Sequence, residues 1–296
     1  MYQFWVELGT ADTAPVEESL GQWENTDWSL EQRPGEAARL CAYFPDEDSL
    51  EPTWELLCRQ IPRLKVYQPL REVLRETDWK NHYKEFIKPF RIGPLHIVPE
   101  WMRKDYRIPA GQQGIYLDAG LAFGTGAHET TQLCLARLVE AITFRPQYLD
   151  TQSYIDAGCG SGILSIAAHK LGFRKIFGFD HDPQAITVSR ENAKVNAIPD
   201  SAIDFQEADL AYGLLGRQAD LLSANILAPV LKLHAGLLLH AVLPEGTLSL
   251  SGILKEEGPE IQSVFDPLAR KYWQDFHCSL RTSGDWAEIA YIRKRP

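Results

Sequence analysis

The chain carries nothing long and apolar enough to cross a membrane. Its most apolar later stretch, Ala235 to Leu254, is interrupted by His240, Pro244 and Glu245, whereas a spanning helix needs about 20 apolar residues in a row. The first residues, Met1-Tyr-Gln-Phe-Trp-Val-Glu7, lack the basic start and apolar run of a secretory leader. Cysteine is scarce: five, at positions 41, 58, 134, 159 and 278, with no C-x-x-C spacing. An odd, scattered set argues against a disulfide framework and fits reduced thiols in a cytoplasmic protein. No metal site is expected. Positive charge is also in deficit, 30 Lys and Arg against 40 Asp and Glu for a net −10, which argues against direct nucleic-acid binding.

With 296 residues, 45% of them hydrophobic, the chain has material for about two domains. Charge is unevenly spread. Residues 1–65 hold 13 acidic side chains against 5 basic, and residues 66–110 hold 9 basic against 6 acidic. An acidic first module attracts a basic partner; solubility alone would account for the same charge. The first 65 residues alternate as βαββαβ: strands Tyr2–Leu8, Trp28–Gln32, Arg39–Phe44 and Leu64–Pro69, with helices near 15–22 and at Leu50–Gln60. That order predicts a small ferredoxin-like α+β domain over residues 1–69. Residues 70–110 read as a linker and joining segment. Within it, Trp79-Lys-Asn-His-Tyr-Lys-Glu-Phe-Ile-Lys-Pro-Phe90 mixes aromatics with lysines. A base-stacking surface would look like this, and so would the edges of joining elements, which is the preferred reading.

The most informative segment is Tyr154-Ile-Asp-Ala-Gly-Cys-Gly-Ser-Gly-Ile-Leu-Ser-Ile-Ala-Ala168. Apolar residues run into glycines at 158, 160 and 162, and an apolar helix follows. Glycine lets the backbone turn sharply and lets a ligand lie on bare main chain, while the helix start aims unpaired N–H groups at it. Eighteen positions past Gly162, Ile176-Phe-Gly-Phe-Asp180 reads as a second strand ending in a carboxylate placed to accept ribose hydroxyls. A nucleoside-bearing cofactor is expected, with an ordinary strand–helix turn as the competing explanation. A dinucleotide site needs G-x-G-x-x-G, and here the spacing is G-x-G-x-G. The tighter turn resembles the first motif of Rossmann-like methyltransferases. A parallel series of strand–helix units over 111–296, closed by a hairpin of Phe276–Arg281 and Trp286–Arg293, extends the same pattern.

Three further constellations carry candidate chemistry. Gly120-Leu-Ala-Phe-Gly-Thr-Gly-Ala-His-Glu-Thr-Thr131 precedes a helix at Gln132–Ile142 and supplies His128, Thr130 and Thr131 at its entrance. Phe123, between glycines, is placed to shield a sulfonium by cation–π contact; capping alone would account for one threonine. Asp209 follows a third strand, as an adenine contact or a solvated carboxylate. Asn225 ends a fourth strand, Asp220-Leu-Leu-Ser-Ala-Asn-Ile-Leu227, at the edge where ligands bind in open α/β sheets. Its amide oxygen suits an amine's N–H groups and near-attack orientation, unless it only caps the next helix.

With Asp78-Trp-Lys80, Phe90-Arg-Ile-Gly93, Ile97-Val-Pro-Glu-Trp101, Gly120–Thr131, Asp156–Ala168, Phe179–Ile186, Asn225-Ile-Leu-Ala228 and Leu250-Ser-Gly-Ile-Leu254 in order, the chain resembles the bacterial ribosomal protein L-eleven methyltransferase family. The resemblance spans roughly residues 78–254. It implies a class I methyltransferase sheet, S-adenosyl-L-methionine as methyl donor, and a basic large-subunit ribosomal protein as substrate, methylated on α-amino and lysine ε-amino groups. It also implies cofactor contacts at Thr131, Gly158 and Asp180, joined by Gly160 and Phe123, and Asn225 beside both cofactor and amine. Residues 1–69 would recognise the substrate. A monomer in the cytoplasm, bound to neither membrane nor nucleic acid, is expected. The nearest alternative is a methyltransferase of the same fold acting on another protein amine.

Overall fold

The computed structural model describes residues 2–21, 28–31, 37–44, 48–73, 88–117, 128–144 and 152–295. The chain divides into two compact units, residues 1–86 and 87–296. Phe123 and the segment Asp78–Lys80 lie outside the described residues, as does most of the aromatic–lysine run.

The first unit contains β1 (Tyr2–Glu7), α1 (Thr10–Gly21), β2 (Trp28–Glu31), β3 (Arg39–Phe44), α2 (Leu50–Gln60) and β4 (Leu70–Val73). Its sheet has the order β2-β3-β1-β4, antiparallel at every pairing. This is the ferredoxin-like arrangement that the sequence pattern predicts. Alternation places Phe4 and Val6 of β1 inside, against Leu40, Ala42, Phe44, Leu57 and Leu64. One expectation fails. Leu64–Pro69 is not a strand: Pro62–Val66 forms a 3₁₀ turn and the last strand starts at Leu70. Pro62 sits in the first turn of that 3₁₀ segment, and a single side chain, Leu64, drops into the core while Val66 is 80% exposed. A lone inward residue lacks the two-residue period of a half-buried strand.

The second unit begins with a three-stranded sheet of β5 (Phe90–Ile92), β6 (Leu95–Pro99) and β7 (Gln113–Leu117). There follow α3 (Glu129–Phe144), β8 (Ser153–Ala157), α4 (Ile163–Leu171), β9 (Lys175–Asp180), α5 (Pro183–Val195), β10 (Ile203–Glu207) and α6 (Leu210–Leu214). The chain continues through β11 (Ala219–Asn225), α7 (Ala228–Leu233), α8 (Ala235–His240), β12 (Val242–Leu254), α9 (Gly258–Trp273), β13 (Phe276–Ser283) and β14 (Trp286–Arg293). The large sheet runs β10-β9-β8-β11-β12-β14-β13, parallel except where β14 pairs antiparallel with both β12 and β13. Its central strands are nearly continuous buried runs, as parallel strands covered on both faces require.

Two cores follow from the two faces. Leu238, Leu248, Phe265 and Tyr291 pack on one. Leu135, Leu138, Ile166 and Phe173 pack on the other, joined by Leu95, Ile97 and Ile115 of the small sheet. Residues 228–240 form two short helices meeting at His234, although His234 N–H still donates to the Val230 carbonyl and Leu238 N–H to the His234 carbonyl. Helix α3 is tied to the hairpin by a buried fork. Arg137 donates from Nε and Nη2 to the two oxygens of Glu288 at 2.9 and 2.8 Å, and from Nη1 to Glu140 at 2.7 Å. That tie fixes the helix whose entrance holds His128, Thr130 and Thr131.

Candidate active site

Strand β8 ends at Ala157, and the next five residues turn the chain into α4. Gly158, Gly160 and Gly162 all have positive φ, at 74°, 51° and 76°, a region that side chains rarely enter. Space excludes side chains too. A Cβ on Gly158 would stand 2.6 Å from Ile226 Cγ2, and one on Gly162 2.8 Å from Ser189 Cβ. The loop hangs from the end of β9: the Phe179 carbonyl accepts from the N–H groups of Gly158 and Cys159, and Asp180 Oδ2 accepts from Gly160 N–H at 3.0 Å.

Asp180 is buried, 8% exposed. Its Oδ1 accepts from Asp182 N–H at 3.1 Å and lies 3.2 Å from the His181 ring. Each carboxylate oxygen carries two acceptor sites, so capacity is left for ligand hydroxyls. Beneath it, Asp156 accepts from Ser165 N–H at 3.0 Å and Ser165 Oγ–H at 2.7 Å. Burial pushes the Asp156 carboxyl up to about 7; the Ser165 bonds hold the rise back and the charge of Asp180 adds to it.

Across the loop lies a cavity of about 530 Å³, within the range of small-molecule sites. Gly158, Phe179 and Asp180 form one wall, Ala208, Asp209 and Leu210 a second, and Asn225, Ile226 and Leu227 a third. Asp209 accepts from Tyr212 N–H at 2.8 Å and so caps α6 while facing the cavity. Asn225 does not cap the following helix: that position is Leu227. Its Nδ2 donates to Thr131 Oγ1 at 3.4 Å, and among the described residues its Oδ1 accepts no hydrogen bond. Thr131 itself is 1% exposed and stands behind Asn225, outside the cavity lining, whereas Thr130 and His128 line it. His128 Nδ1 pairs with Thr130 Oγ1 at 2.8 Å. Gly160 is absent from the lining and acts through its bond to Asp180.

Trp286 and Gly252 are among the lining residues that the sequence reading does not single out. Trp286, at the start of β14, packs edge-on against the His128 ring at 4.8 Å. Gly252, φ 79°, lies so close to Ile226 that a Cβ would be 2.6 Å from its carbonyl oxygen. The signal for Gly252 is present as a glycine inside an apolar strand. Nothing local marks Trp286, which reaches the site only because β14 inserts beside β12.

Bare main chain at the glycine turn, a carboxylate with spare acceptor sites and an amide oxygen at the end of β11 suit a nucleoside ligand beside an amine. Comparison with known proteins agrees. The sequence profile of the ribosomal protein L11 methyltransferases matches residues 3–294. A ribosomal protein L11 methyltransferase from Tolumonas auensis is 40% identical over 66% of this chain and 63% of its own length. One from Shewanella piezotolerans is 36% identical over 86% of this chain and 81% of its own. A crystal structure of a ribosomal protein L11 methylase from Lactobacillus delbrueckii subsp. bulgaricus is 33% identical with a TM-score of 0.58, covering 69% of this chain and 98% of that one.

Proposed function

The chain belongs to the ribosomal protein L11 methyltransferase family, and from that premise we propose that it transfers methyl groups from S-adenosylmethionine to α-amino and lysine ε-amino groups of ribosomal protein L11. The donor, when bound, supplies a methyl group on a positively charged sulfur. What this chain contributes is position and exclusion of water. Gly158 offers main chain without a side chain, Asp180 accepts the ribose hydroxyls, and Asp209 faces the adenine end. Trp286 and His128 place aromatic rings in the cavity wall that also holds Asn225, and an aromatic ring attracts a cation.

Asn225 carries the reading. Its Nδ2 is held by Thr131, which leaves Oδ1 at the carboxyl end of β11 to accept an amine N–H. An amine so held directs its lone pair at the methyl carbon, and that orientation is the main source of rate in a two-reactant step. The sulfur loses its positive charge as the amine gains it, so little new charge needs stabilising. The amine must arrive deprotonated, and an ordinary lysine titrates near 10.4; solvent takes that proton before the amine enters the cavity.

The acidic first unit recognises the basic substrate, and the protein acts as a monomer in the cytoplasm, where ribosomal proteins are made. Among the described residues no helix is long and apolar enough to span a membrane. Incubation with purified ribosomal proteins and isotope-labelled S-adenosylmethionine, followed by mass spectrometry, tests the whole reading. Label on L11 amines is expected; label confined to another protein or to RNA would overturn it.

A further inference from the structure

The second unit exposes few large hydrophobic side chains, and they are concentrated. Of the seven among its described residues, Leu280 stands alone; Tyr212, Val230, Leu233 and Leu237 fall on α6, α7 and α8, and Leu215 and Leu227 cap α6 and α7. Leu215, Leu227 and Leu233 are 72%, 70% and 79% exposed. The fold does not require them, because Ala228, Leu231, Ala235, Leu238 and Leu239 already turn the opposite side of α7 and α8 into the core. Charged or amide side chains are equally good helix formers at solvent positions. Apolar clusters of this kind on a soluble surface mark interaction sites.

The place of the cluster says what covers it. Leu227 and Val230 line the cavity directly after Asn225, and Leu233 and Leu237 follow on the same two helices, exposed and outside the lining. A macromolecule that presents an amine at Asn225 lies over this rim. Charge agrees. The two cations on these elements and their connections are engaged, Lys232 with Glu260 at 2.6 Å and Arg217 over the Phe177 ring at 4.2 Å. Glu207 is left exposed, Glu260 is 61% exposed and Asp209 faces the cavity mouth. Apolar surface flanked by carboxylates suits a lysine-rich protein. A second copy of this chain seated here would block the cavity to any protein substrate.

We infer that the outer face of α7 and α8, with Tyr212 and Leu215, docks a folded lysine-rich substrate protein and sets which of its amines reaches Asn225. This rests on the reading that the cavity methylates a protein amine. The test uses Leu233→Asp, Leu237→Asp and the double variant in the full chain, both positions lying outside the cavity lining. Leu233→Gln with Leu237→Gln replaces them if the aspartates fail to fold. The double variant is expected to raise KM for intact ribosomal protein L11 about tenfold or more. Its rate on a short lysine peptide and its affinity for S-adenosylmethionine are expected to stay within about twofold. Leu233→Met, which keeps the apolar contact, is expected to behave as wild type.

An unchanged KM for the intact protein would overturn the inference. So would a wild-type dimer in sedimentation that the double variant dissolves, which assigns the face to a second copy. Footprinting protection of Leu233 and Leu237 in the free monomer would overturn it too, assigning the face to the chain's own first unit. If wild type methylates a different protein and not L11, the substrate reading above fails, and the same variants measured on that protein decide the surface independently.

Discussion

On the proposed function, single side chains decide whether the cavity holds its ligand. Asp180 is the clearest case, since it organises the glycine loop through Gly160 and keeps acceptor sites toward the cavity. Asp180→Ala is expected to weaken S-adenosylmethionine binding by about 2–4 kcal/mol, the worth of one or two hydrogen bonds to a charged group, measured by calorimetry; unchanged affinity would contradict the role. Asp156 makes a different prediction. Its carboxyl titrates near 7 in the folded chain and in the ordinary carboxylate range near 4 once unfolded. Between those values the folded state keeps a proton that the unfolded state releases, so this group's contribution to stability falls as pH rises through about 4 to 7. Asp156→Asn removes that dependence. The stability of the variant relative to wild type is therefore expected to climb across that window in denaturant titrations, and a flat difference would refute it. The placement of Gly158 and Gly160 in the turn and of Asp180 and Asn225 at strand ends was legible in the sequence, because turns and strand ends have fixed local signatures. Thr131 was readable as a site residue too, but not its place behind Asn225, since one helical position separates it from Thr130 in the cavity lining.

Elements deliver those residues to one place. The strands of the large sheet were legible because burial on both faces writes apolar runs into β8, β9 and β11. The 3₁₀ turn at Pro62–Val66 was not, because it depends on which single side chain finds space in a core. The tie between α3 and the hairpin was illegible for another reason: Arg137 and Glu288 are 151 positions apart, and no local pattern pairs them. Glu288 is fully buried and also accepts from Ser249 Oγ–H at 2.7 Å. Replacing it by glutamine leaves the buried Arg137 charge with Glu140 as its remaining carboxylate, beside the Ser279 hydroxyl, an expected loss of about 3 kcal/mol. Thermal or denaturant unfolding of Glu288→Gln measures it, and a loss below about 0.5 kcal/mol would mean the fork contributes only specificity. Because α3 carries Thr131 and begins directly after His128, the variant is also expected to weaken catalysis in chains that remain folded.

At the scale of the whole molecule, the proposed function assigns the choice of partner to charge and surface and the chemistry to the cavity. The first unit's acidity was plain from composition, and its ferredoxin-like order from alternation; which protein it attracts was readable only through family resemblance. Attraction between an acidic enzyme and a basic substrate is screened within about 8 Å at physiological salt. KM for ribosomal protein L11 is therefore expected to rise severalfold between low and physiological ionic strength, with turnover at saturation little changed. A salt-independent KM would place recognition in apolar contacts alone. The central claim is that Asn225 holds the amine in line with the methyl group. Its most direct test is the methylation rate of Asn225→Ala on L11 at saturating S-adenosylmethionine, read by mass spectrometry. The predicted result is a fall of about 100-fold with the donor still bound; a variant that methylates at the wild-type rate would contradict it.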